Sequence, residues 1–162
     1  MNPLLQGLIP LVKKETEDCM QLHPLHYGSV WKHIEDSFNM ALESGDMELS
    51  KVMLLHDVGK PSVKEISKET GYDTFPKHAE ASIAWCKNHN IELSDIERDL
   101  ILCHDKALNW ANDHQLRILM NRHGSKFKIK LINVILFNVM AKNNPRDNVE
   151  GLCDIACEFD PK

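Results

Sequence analysis

Arginine is scarce in this chain. Only four of the 19 basic residues are arginines, against 24 acidic residues, and the net charge is -5. A protein that neutralises a long run of phosphates needs a broad basic surface, so extended nucleic-acid binding is not expected. A small phosphorylated ligand needs only a local cluster of positive charge and stays open. Long apolar runs are also missing: no stretch of 18 apolar residues occurs, which argues against a transmembrane helix. Met1 to Leu11 has no basic segment ahead of its apolar positions and no small-residue cleavage site, so no secretory leader is expected. The five cysteines (Cys19, Cys86, Cys103, Cys153 and Cys157) are odd in number, and three sit in apolar helical patterns. That usage suits reduced thiols and a cytoplasmic location. Cys153 and Cys157 share a helix face by spacing, and burial is the expected role for them.

Repeats, low-complexity tracts and alternating strand patterns are absent as well, and the periodicity is helical almost throughout. A chain of 162 residues, 43% hydrophobic and 27% charged, can bury a proper core. The expected fold is all-α: a single bundle of six or seven helices, with one domain over residues 1–162. Helices are expected over Leu4–Leu22 with a bend at Pro10, Ser29–Glu43, Met47–Val58 and Lys77–Asn90. Further helices are expected over Ser94–Ala107, His114–Arg122, Lys128–Asn143 and Asn148–Glu158. Ser94 and Glu97 have the spacing of a capping box. Lys128–Asn143 is apolar nearly all round and reads as the central helix. Gly59 to Pro76 reads as a long polar loop, and such loops in small domains are often functional.

The informative residues are His56 and Asp57, at the end of Met53-Leu54-Leu55-His56-Asp57-Val58-Gly59-Lys60-Pro61. An imidazole and a carboxylate at the end of a buried helix are costly unless something neutralises them, and a divalent cation does so. His33, His78 and His104 lie on three further expected helices, each bordering an apolar stripe. Four histidines on four helices can converge in a bundle core, where helical metal proteins build their sites. His23, His26, His89, His114 and His123 sit beside turns or polar neighbours and read as surface or loop residues.

Three segments together carry a family resemblance: Val30-Trp31-Lys32-His33, then Leu54-Leu55-His56-Asp57-Val58-Gly59-Lys60-Pro61, then Phe75-Pro76-Lys77-His78-Ala79-Glu80. Over residues 27–144 the chain resembles the HD-domain metal-dependent phosphohydrolases, in the branch similar to the HD domains of tRNA nucleotidyltransferases. The resemblance implies a first metal held by His33, His56 and Asp57, and a second by the extra histidines His78 and His104. It implies one or two divalent ions, of Mn, Fe, Ni, Zn or Mg. Asp57 would orient the metal and its water, and Lys60 would contact a substrate phosphate, with Lys64 or Lys77 assisting. Asp105 has no firm counterpart and reads as an acceptor behind an imidazole N–H.

One position departs from the family. Its last ligand is an aspartate on a late buried helix, where this chain has Val134-Ile135-Leu136-Phe137-Asn138-Val139-Met140-Ala141. Asn138 offers a neutral oxygen and no charge. A naturally weakened or inactive site, an altered metal preference, an engineered substitution that silences catalysis, or a hydrogen-bonded core amide all fit that position. The implied function is hydrolysis of a phosphomonoester or phosphodiester, on a nucleotide or a nucleic-acid end, by metal-activated water. The alternatives are a non-catalytic nucleotide-binding or regulatory domain of the same fold, and a di-iron oxygenase.

Overall fold

Five helices begin at a residue whose side chain accepts from the first turn. Asn2 accepts from Leu4 N, Ser29 from Lys32 N, Asp46 from Glu48 N and Leu49 N, Ser94 from Glu97 N, and Asp113 from Leu116 N. Each such cap contributes about 1 kcal/mol. The computed structural model describes residues 2–24, 26, 28–106 and 113–142. Among these, the helices are α1 (Pro3–Thr16), α2 (Val30–Glu43), α3 (Met47–Leu55), α4 (His78–Asn88), α5 (Asp95–Cys103), α6 (His114–His123) and α7 (Ser125–Met140). The fold is all-α, as the helical periodicity requires. The capping box is present: Ser94 N donates to Glu97 Oε2 at 2.8 Å while Glu97 N donates to Ser94 Oγ. The expected helix at Asn148–Glu158, with Cys153 and Cys157, lies outside the described residues.

The central helix is α3. It packs against α1, α2, α5 and α7, and Val52 through Leu55 are fully buried. The expectation that Lys128–Asn143 is central is corrected. The helix there, α7, buries Phe127, Leu131, Val134, Ile135 and Asn138 on one face, and leaves Ile129 62% and Met140 45% exposed. Apolar residues all round a helix do not guarantee burial all round, since much protein surface is itself apolar. Lys130 reaches from α7 to both Asp46 and Glu48 at the start of α3, which ties these helices together.

The N-terminal helix stops at Thr16 rather than Leu22. Thr16 Oγ1 donates to Val12 O, and beyond it bridges pair Met20 with Ser29 and His23 with His26. The Gly59–Pro76 loop is more ordered than its composition suggests. It holds a 3-10 turn (Lys60–Val63) and an antiparallel hairpin of β1 (Glu65–Ile66) and β2 (Asp73–Thr74). No helix among the described residues is long and apolar enough to cross a membrane.

Cys86 and Cys103 are buried, and burial pushes both thiols up to about 11. Thiolate is the reactive form, so both cysteines should react about 100-fold more slowly than an ordinary thiol. Alkylation near neutral pH followed by mass spectrometry should leave Cys86 and Cys103 unmodified in the native chain and label both after unfolding.

Candidate metal centre

α3 ends at Leu55, and His56 and Asp57 occupy the turn immediately after it. Gly59 then passes so close to α4 that a Cβ there would meet Ser82 N at 2.2 Å and the Ala81 carbonyl carbon at 2.4 Å. Gly59 N donates to Ser82 Oγ at 2.9 Å, and Ser82 Oγ donates to His56 O at 2.8 Å. One hydroxyl therefore fixes the His56-Asp57 turn against the helix that begins with His78. Gly59→Ala should push α4 away and cost about 3 kcal/mol or more, since the clash is with backbone. Denaturant unfolding measures it; a cost under 0.5 kcal/mol would contradict this packing.

Three histidines repeat one device. His56 Nδ1 lies 2.7 Å from Met53 O, His78 Nδ1 2.8 Å from Phe75 O, and His104 Nδ1 2.6 Å from Ile101 O. Each carbonyl is three residues back: Met53 and Ile101 lie in the last turns of α3 and α5, where the backbone ladder runs short of donors, and Phe75 lies just ahead of α4. A proton on Nδ1 in each ring leaves Nε2 as the free lone pair. Those Nε2 atoms converge. His33 Nε2 is 3.3 Å from His56 Nε2, and His78 Nε2 is 3.1 Å from His104 Nε2.

Asp57 lies between the two pairs. Its Oδ2 is 3.4 Å from His33 Nε2 and 3.3 Å from His56 Nε2, and its Oδ1 is 3.4 Å from both His78 Nε2 and His104 Nε2. Donors bound at about 2.1 Å to one ion, at right-angle to tetrahedral separation, stand about 3.0–3.4 Å apart. Both groups of three match that spacing. Asp57 is fully buried; Lys60 Nζ pairs with Oδ2 at 2.7 Å, and Oδ1 accepts no hydrogen bond. Bare lone pairs on nitrogen and oxygen facing one point are the pattern a cation satisfies. His33, His56 and Asp57, and likewise Asp57, His78 and His104, can hold a metal ion.

The electrostatics agree. Burial holds His33 and His56 below the usual histidine range, which keeps them neutral and ready to ligate. Burial alone would raise Asp57, but the Lys60 ammonium and the His56 imidazole outweigh it and hold the carboxyl well below its ordinary value. His104 moves the other way. Burial disfavours its charged form, yet Asp105 and Asp57 raise it overall, so the cluster draws positive charge toward this ring. The C-terminal ends of α3 and α5, which carry His56 and His104, add partial negative charge.

Asn138 comes from α7 to the same point. Its Oδ1 is 2.9 Å from His33 Nε2, and its Nδ2 donates to Asp105 Oδ1 at 3.0 Å and to His104 O at 3.5 Å. His33, His56, Asp57 and His104 are buried in the core, as expected, although His56 and His104 follow helix ends and His78 begins one. Of these ligand residues His78 also lines a cavity of about 470 Å³, together with Lys60, Asp105 and Asn138 among others.

Lys60 is buried against Asp57 and Gln21 Oε1, at the site. Lys64 and Lys77 are not cavity-lining residues. Lys64 pairs with Asp73 at 2.8 Å and donates to Met20 O, which ties the hairpin to the turn before α2. Lys77 is exposed, in the left-handed region (φ 56°) just ahead of α4. The second cation of the cavity is Lys142 instead, four residues beyond Asn138, and that spacing was the only sequence signal for it. His26 lies in the loop before α2, as expected, but is half-buried there. Its ring packs edge-on against His33 with centroids 5.0 Å apart, and burial, with Lys60 and Lys142 nearby, pushes it down to about 3. His123 likewise is half-buried and pairs with Asp99 at 2.7 Å, as a helix-to-helix tie away from the centre. Compared with known protein families and with curated proteins, the chain matches none.

Proposed function

We propose that this chain is a metal-dependent phosphoric ester hydrolase of the HD-domain type, acting on a nucleotide or a nucleic-acid end. The observation that carries the reading is Asp57: a buried carboxylate with one oxygen toward each pair of histidine Nε2 atoms, beside the ammonium of Lys60. The ligand set suits two divalent ions that share Asp57, with His33, His56 and the Asn138 oxygen on one side and His78 and His104 on the other. Such ions supply a water of lowered pKa and a clamp for phosphoryl oxygens.

The chain's own residues do the rest. Lys60 and Lys142 put two positive charges on the cavity wall, where they offset the charge of a phosphate. Phosphate entering beside Lys60 competes with Asp57 for its ammonium, and Gln21 holds the Lys60 side chain in place through its Oε1 at 3.2 Å. Tyr72 and Phe75 line the same cavity and present flat apolar surface to a base. His26 is neutral near physiological pH, so it can donate one hydrogen bond without adding charge.

Metal analysis of the purified chain, with phosphate release measured on a panel of nucleotides and phosphodiesters, tests the reading. His56→Ala should lose metal and activity together. Full metal content and turnover in that variant would refute it. A specific observation also favours a second reading, a non-catalytic nucleotide-binding domain: the late carboxylate is replaced by Asn138. Nucleotide binding with no release of phosphate from any ester would support that alternative.

A further inference from the structure

We propose that Asp105 supplies the carboxylate that Asn138 lacks, as a direct metal ligand on the His78–His104 side of the centre. The inference rests on the metal reading above. Its core is which nitrogen Asp105 faces. A carboxylate that supports a ligating histidine from behind bonds the ring nitrogen pointing away from the metal. In His78 that nitrogen, Nδ1, is already held by Phe75 O. Asp105 Oδ2 instead stands 2.9 Å from His78 Nε2, and Oδ1 stands 3.5 Å from His104 Nε2. The carboxylate is thus on the inner side of both rings, within about 0.1 Å of the range for neighbouring ligands. An ion at these two Nε2 atoms would meet it directly, so the expectation of a supporting role behind an imidazole does not fit the geometry.

Asn138 fits the same arrangement. Its amide N–H donates to Asp105 Oδ1, which turns its own oxygen toward His33. One amide therefore fixes Asp105 on one side and offers a neutral oxygen on the other. Charge points the same way, because Asp57 alone would bring a single negative charge to two divalent ions. The Asp105 side chain is 49% exposed and lines the cavity, so the second position would be the one open to exchange.

The test is Zn²⁺ binding to the full chain after chelator treatment, by calorimetry and elemental analysis. Wild type should bind two equivalents. Asp105→Asn should bind one, or hold its weaker equivalent at least tenfold less tightly, and Asp105→Glu, which keeps the carboxylate, should retain it more tightly than Asp105→Asn. A thermal melt in chelator establishes that each variant is folded; the conservative Asp105→Glu distinguishes ligation from a general effect on structure. Unchanged stoichiometry and affinity in Asp105→Asn would overturn this inference and leave the metal reading standing. Absence of any Zn²⁺ binding by wild type would overturn both.

Discussion

Asp57→Asn is expected to remove both metal positions at once and to lower phosphate release by about 1,000-fold, or about 4 kcal/mol of barrier. The reason is topological. Each imidazole belongs to one group of ligands, whereas Asp57 belongs to both, through different oxygens. An amide in its place offers one neutral oxygen and turns an N–H donor toward the other pair, where it repels a cation. Lys60 would also lose the only carboxylate paired with it among the described residues. His78→Ala, by comparison, should lose metal on one side and keep the His33–His56 side. Elemental analysis of the two variants separates these patterns. Equal metal loss in both, or full metal content in Asp57→Asn, would show that Asp57 does not join two positions.

Much of this centre was legible in the sequence because its determinants are local. His56 and Asp57 end an apolar helix and are followed by Gly59 and Pro61, so a buried polar pair at a helix end follows from pattern alone. The same holds for Ser94 and Glu97, whose spacing specifies a capping box that forms. Residues fixed by tertiary contact were harder to read. Lys64 lies on the loop beside the site and carries the right charge, yet Asp73 on the opposing strand of its hairpin claims it. Lys142 and His26 reach the cavity only because α7 and the turn before α2 meet there.

Asn138→Asp is expected to have opposite effects on the free and the metal-loaded chain. In the free chain the Asn138 amide donates to Asp105 Oδ1 at 3.0 Å. A carboxylate there replaces an attraction with the repulsion of two like charges, which raises the pKa of one of them or forces them apart. Losing that donor and gaining the repulsion should cost the chelated protein about 1–3 kcal/mol. Once metal is present the added charge faces a cation on the His33 side, and affinity should rise at least tenfold, about 1.4 kcal/mol. Thermal melts with chelator and with Zn²⁺ should therefore diverge, the first falling and the second rising relative to wild type. If the chelated chain instead becomes more stable and Zn²⁺ affinity does not change, Asn138 is a core amide with no part in the centre. Turnover then separates the two functional readings. A rise in phosphate release along with affinity marks a hydrolase weakened by its amide, whereas tighter metal binding with no hydrolysis marks a binding domain.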